Sequence, residues 1–130
     1  MNNNISIAII DDDLIDRTVI RRLVGSVSKT INFLEFDSGM ETLGYLTKNA
    51  LNRQNIPDII LLDVRMPVMD GWEYLAEYNK IEAQLIKKPR HYIYTSSINP
   101  RDLYLQAGIQ GNLTKPVGKE DIIRIITELQ

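Results

Sequence analysis

Short, continuous apolar runs alternate along the chain with segments whose apolar residues recur every three or four positions. Residues 5–10 (ISIAII) read as a buried strand that stops at Asp11, Asp12 and Asp13. Leu14, Ile15, Val19, Ile20, Leu23, Val24 and Val27 then follow at helical spacing, with Asp16, Arg17, Arg21 and Arg22 on the other side. Residues 31–36 form a second strand. Ser38 followed three positions later by Glu41 has the form of a capping box, and Met40, Leu43, Leu46 and Leu51 continue as a helix. After Pro57, residues 59–62 are uninterrupted Ile and Leu ending at Asp63, which suits a strand covered on both faces.

The alternation continues through the second half. Residues 66–71 (MPVMDG) make a turn-rich loop before an amphipathic segment from Trp72 to about Ala83. Residues 92–94 are a fourth strand, ending at Thr95, Ser96 and Ser97. Asn99-Pro100 opens a helix with proline at its first position, and Gly108 closes it. Residues 109–114 give a fifth strand. Past Lys115-Pro116 comes a last helix bearing Ile122, Ile123, Ile125, Ile126 and Leu129. Five strands alternating with five helices predict an α/β fold around a parallel sheet.

Composition narrows this picture. A chain of 130 residues has room for one domain, as domains commonly run to roughly 100–150 residues. No repeat or linker divides it, so residues 1–130 are expected to form a single domain. Fifteen Lys and Arg against 17 Asp and Glu leave a net charge of −2, which argues against a surface built for nucleic acid. The absence of cysteine removes disulfides, thiolate metal sites and thiol nucleophiles, and the single histidine, His91, removes any site needing two. The N-terminal residues lack the basic and apolar regions of a signal peptide, and no apolar run is long enough to span a bilayer. The expectation is a cytoplasmic protein with no membrane insertion.

In an open parallel sheet, ligands gather beyond the carboxyl ends of the strands. Here those ends carry Asp11, Asp12 and Asp13 after the first strand, Asp63 after the third, Thr95 and Ser96 after the fourth, and Lys115 after the fifth. Clustered carboxylates repel unless a proton or a cation neutralises them. Few, hard oxygen ligands suit Mg²⁺, which prefers one or two carboxylates together with phosphate oxygen. A lysine nearby adds a point charge for a phosphoryl group, and a hydroxyl adds a hydrogen bond. Together these groups suit transfer of a phosphoryl group onto a carboxylate nucleophile.

The residues IIDDD ending at Asp13, IILLDVRMPVMDG from Ile59 to Gly71, YTSS ending at Ser97 and LTKP ending at Pro116 resemble the receiver domain of two-component response regulators, of the chemotaxis-regulator kind. The resemblance covers essentially the whole chain, with DVRMPVMDG its most specific string. It implies a flavodoxin-like, doubly wound sheet of order 2-1-3-4-5. It further implies that Asp63 is the phosphoacceptor for a sensor histidine kinase or a histidine phosphotransfer protein. Asp12 would bind Mg²⁺ directly and Asp11 through water, with Asp63 and the backbone carbonyl of Arg65 as further ligands. Thr95 would be the switch hydroxyl, Ser96 its small neighbour, and Lys115 the partner of the phosphate, or of Asp63 when free. The Lys115-Pro116 bond would be cis. The protein would be a signalling switch rather than an enzyme with turnover, standing alone and acting through an unknown downstream protein.

Several residues have plainer readings. Asp13 reads as a helix cap, Asp70-Gly71 as a turn and helix start, and Trp72 as packing. Arg65 and Ser97 flank the expected site mouth, and His91 precedes the fourth strand without a visible partner. Three features depart from the family pattern, one of them the spacing from Thr95 to Lys115, which is short. Asn112 stands where receivers usually carry an aromatic that moves with the threonine, and the stretch from Thr47 to Pro57 is long, predicting a longer second helix or a longer loop. Two other functions fit parts of the sequence. One is a haloacid-dehalogenase-type phosphatase using Asp11 and Asp13 as its Asp-x-Asp pair. The other is a receiver-fold interaction module that is not phosphorylated.

Overall fold

The computed structural model describes residues 4–95 and 108–129. In chain order they form β1 (Ser6–Ile10), α1 (Leu14–Val27), β2 (Asn32–Phe36), α2 (Gly39–Lys48), β3 (Ile59–Leu62) and α3 (Gly71–Ile81). A single 3₁₀ turn (Glu82–Gln84) leads to β4 (Arg90–Thr95), β5 (Ile109–Thr114) and a final helix, α4 (Lys119–Leu129). The helix expected to open at Asn99-Pro100 lies outside the described residues.

The five strands are parallel, in the order β2-β1-β3-β4-β5, the flavodoxin-like arrangement. Successive strand side chains point to opposite faces, and the continuous apolar runs fill both. Ala8, Ile10, Ile60, Leu62 and Ile93 face the layer of α2 and α3 through Leu46, Tyr74, Leu75 and Tyr78. Ile7, Ile9, Ile59, Leu61, Tyr92 and Tyr94 face α1 and α4 through Ile20, Val24, Ile122 and Ile125. β1 and β3 are buried along their whole length, and each such Ile or Leu stabilises the fold by roughly 1.5–3 kcal/mol relative to exposure.

Two expectations shift, and one left open between a helix and a loop resolves. α2 ends at Lys48 instead of running through Leu51, because Asn49 closes it with Nδ2 donating to the Tyr45 carbonyl (2.8 Å). Leu51 keeps helical spacing in sequence yet lies 82% exposed in the turns that follow. The long stretch before β3 is therefore a loop. It is held by the Tyr45 hydroxyl donating to the Asn55 carbonyl (2.7 Å) and by fully buried Ile56. β4 begins at Arg90, so His91 lies inside the strand rather than before it. Trp72 packs, partly buried, against the core, as its packing reading expected.

Candidate functional site

Strand register builds the acidic site. Ile10 lies opposite Leu62, and the Asp63 amide donates to the Ile10 carbonyl (3.0 Å) while the Asp11 amide donates to the Phe36 carbonyl (3.0 Å). The next residues, Asp11 and Asp63, thus leave the sheet side by side. Asp11, Asp12 and Asp63 each offer a carboxylate oxygen, all within 4.8 Å of one another. Asp11 and Asp63 are buried and Asp12 is exposed. Asp13 turns away: its Oδ1 accepts from the Ile15 amide (2.8 Å) and caps α1, while its own amide donates to Asp11 Oδ1 (2.9 Å).

The electrostatics call for a cation. Burial, aided by the Asp63 charge and opposed by the Asp13 amide and Lys115, pushes the Asp11 carboxyl up to about 7. Burial also raises Asp63, against the Lys115 charge and the Arg65 amide, which donates to Asp63 Oδ1 (3.2 Å). Asp11 Oδ2 is buried with no hydrogen-bond partner, and Lys115 Nζ stands 3.9 Å from it. Without a divalent ion the pair retains protons that water would remove. A hard cation would satisfy the orphaned oxygen and relieve the repulsion, so these three carboxylates fit Mg²⁺.

The other strand ends converge on the same place. Thr95 is buried at the end of β4, and its carbonyl accepts from the Lys115 amide (3.1 Å). The Lys115-Pro116 bond is cis. The Lys115 ammonium does not pair with Asp63 as expected. It donates to Asp16 Oδ2 (3.0 Å) and lies 4.4 Å from the centroid of the Tyr94 ring, because Asp16 in the first turn of α1 reaches it across the sheet end. Arg65 is exposed beside Asp63. Ser96 and Ser97 lie outside the described residues.

The loop after Asp63 is closely fitted. The Gly71 amide donates to the Val64 carbonyl (2.9 Å), and a Cβ on Gly71 would meet the Asp63 carbonyl oxygen at 2.7 Å and Val64 Cα at 2.9 Å. Only glycine lets α3 begin this close to the strand end. Asp70 stays out of the acidic cluster, exchanging capping-box hydrogen bonds with Glu73 (2.8 and 3.0 Å). Val68, at the tip, has φ of 68° and is 98% exposed, a left-handed conformation unusual for a β-branched residue.

Sequence reasoning missed three residues. Asp16 and Arg17 read as the solvent side of α1, yet Arg17 donates to the Asp11 carbonyl (2.7 Å) and to Glu35 Oε1 (3.2 Å), fastening the acidic strand end to β2. Their place in the first turn after the acidic run was the available signal. His91 has a partner after all. Its Nε2 is 2.9 Å from the Tyr74 hydroxyl, its ring lies against Tyr78, and burial lowers its pKa to about 3. It belongs to the core, away from the acidic cluster. The phosphatase reading loses its second carboxylate, because Asp13 caps α1.

Known proteins resemble this chain in sequence and in fold. The sensor histidine kinase CheAY of Helicobacter pylori is 31% identical over 119 residues, covering 90% of this chain and 14% of that protein. The two-component response regulator ARR3 of Arabidopsis thaliana is 31% identical over 132 residues, covering 95% of this chain and 55% of that protein. The chain thus spans only part of each of these relatives. A two-component response regulator from Legionella pneumophila superposes with a TM-score of 0.81 at 27% identity, over 98% of both chains. One from Cytophaga hutchinsonii gives 0.85 at 21% identity, again over 98% of both, and so supports the fold alone. The family model for the response regulator receiver domain matches residues 7–127. With the strand order and the acidic strand ends, that match shows that the chain belongs to the response regulator receiver family.

Proposed function

We propose that the chain is a phosphorylation-controlled switch in which Asp63 accepts a phosphoryl group from a phosphohistidine on a sensor histidine kinase or a histidine phosphotransfer protein. The observation that carries this reading is the buried Asp63–Asp11 pair with its orphaned oxygen, next to an exposed Asp12 and a nearby ammonium. In the transfer, an Asp63 carboxylate oxygen attacks phosphorus as the P–N bond breaks. The electron pair of that bond stays on the departing imidazole, which leaves neutral when its other nitrogen is protonated. Mg²⁺, held by Asp12, Asp11, Asp63 and the Arg65 carbonyl, would supply charge neutralisation at the phosphoryl oxygens.

The protein groups divide the remaining work. Lys115 brings a positive charge to the phosphoryl oxygens, and the Thr95 hydroxyl donates a hydrogen bond to one of them. Leu14, Ile15 and Val19 on α1 are 61%, 72% and 54% exposed, and with Val68 they offer an apolar rim on which the donor protein can seat. Phosphorylation adds about −1.5 to −2 charges, which reweights existing conformations and so changes contacts with a downstream protein. Protein contact, not nucleic-acid binding, is the output that suits a net charge of −2. Among the described residues no helix is long and apolar enough to cross a membrane, and a cytoplasmic location belongs to the same proposal.

Incubation with phosphoramidate and Mg²⁺, followed by intact mass, tests the reading. The wild type should gain one phosphoryl group and Asp63→Asn none. Equal uptake by Asp63→Asn would refute it. A wild type that takes up nothing would favour an unphosphorylated interaction module.

A further inference from the structure

Lys115 carries a positive charge that the acidic site needs, yet its nearest carboxylate is not Asp63. Its ammonium sits 3.0 Å from Asp16 Oδ2, 3.9 Å from Asp11 Oδ2 and 4.4 Å from the centroid of the Tyr94 ring. Asp16 is not needed to close the start of α1, because Asp13 already caps it. Its negative charge does favour the helix N-terminus, but that would hold for any outward rotamer. Instead the side chain meets Lys115 in the wall of a cleft of about 320 Å³ that Val19, Tyr94 and Pro116 also line.

Asp16, not Asp63, is the carboxylate nearest to the ammonium, so a phosphoryl group on Asp63 competes with Asp16 for it. A dianionic phosphoryl group attracts a point charge more strongly than one carboxylate does. The ion pair is only partly covered, with 24% of the Lys115 and 33% of the Asp16 side chain exposed, so breaking it is not prohibitive. We propose that Asp16 is a positioning residue for Lys115, holding its ammonium in reserve and releasing it when Asp63 is phosphorylated. This rests on the phosphoacceptor reading of Asp63. The release leaves an unpaired carboxylate at the lip of the cleft, next to exposed Val19 on α1. Phosphorylation is thereby reported on the α1 side of the domain.

The test uses Asp16→Asn and Asp16→Glu, both of which keep the Asp13 cap, with beryllofluoride and Mg²⁺ as the phosphoryl mimic. NMR of the Lys115 Nζ resonance and the beryllofluoride affinity are read together. In wild type the resonance should move on adding the mimic. In free Asp16→Asn it should already lie toward the bound position, and the mimic should bind roughly two- to fivefold more tightly, the range expected for a partly exposed ion pair. Asp16→Glu should restore wild-type values. In a Lys115→Gln background, Asp16→Asn should leave the affinity unchanged. A Lys115 resonance unmoved by Asp16→Asn, or an affinity gain that persists without Lys115, would overturn the inference. Wild type that binds no beryllofluoride would instead refute the phosphoacceptor reading itself.

Discussion

Replacing Gly71 with alanine adds one methyl group where α3 starts against the strand end bearing Asp63. Two effects of opposite sign compete. Alanine restricts the unfolded chain more than glycine does, which stabilises a protein by about 0.4–1 kcal/mol where the site accepts it. Against this, the new Cβ would lie 2.7 Å from the Asp63 carbonyl oxygen and 2.9 Å from Val64 Cα. Both are backbone atoms, fixed by the Asp63 amide on Ile10 and the Gly71 amide on Val64, so neither can yield by a rotamer change. Overpacking of this kind costs about 1–3 kcal/mol. The steric effect should win, leaving Gly71→Ala about 1–2 kcal/mol less stable in urea unfolding. Gly25, in α1, is the control, since a Cβ added there would meet nothing within 4 Å. Gly25→Ala should gain about 0.5–1 kcal/mol. The displaced Asp63 should also weaken beryllofluoride binding in Gly71→Ala. A Gly71→Ala protein as stable as wild type, with unchanged beryllofluoride affinity, would refute the close-fit reasoning.

Val68 is 98% exposed with φ of 68°, so Val68→Asn loses no burial and relieves a left-handed strain of about 1–2 kcal/mol; urea unfolding should show a gain of about 1 kcal/mol. Asp11 and Asp63 have raised folded-state pKa values, so in the metal-free protein they contribute stability at low pH that is lost as pH rises toward 7. Mg²⁺ competes with those protons, so the stability it adds, read as the difference in urea midpoint with and without it, should grow from pH 5 to pH 7.5. His91 is held neutral with a pKa lowered to about 3, so its contribution is present above the unfolded value of about 6.5 and lost as pH falls. The stability gap between wild type and His91→Phe should therefore narrow from pH 7 to pH 4, and a constant gap would count against it.

The strands are legible in sequence where burial on both faces leaves no polar residue inside them, as in Ile59–Leu62. β4 reads short because Arg90 and His91 are polar. The first tucks its guanidinium onto the Glu128 carbonyl (2.9 Å) and the second finds a tyrosine; such partners exist only in three dimensions. Leu51 misleads in the opposite direction, having the right period beyond a helix that Asn49 has already ended. The acidic residues at the site are visible as strand ends. That Asp11 and Asp63 stand side by side depends on Ile10 lying opposite Leu62, a register no local pattern encodes. Asp16 is hidden for the same reason, since its partner Lys115 lies 99 residues away.

The proposed switch depends on which carboxylate takes the phosphoryl group. Protein treated with phosphoramidate and Mg²⁺ and then reduced with borohydride converts an acyl phosphate at aspartate to homoserine, and peptide mapping locates the converted residue. Homoserine at position 63 alone, absent when EDTA replaces Mg²⁺, is the predicted result. Homoserine at Asp11 or Asp12 instead, or conversion at Asp63 that survives EDTA, would contradict it.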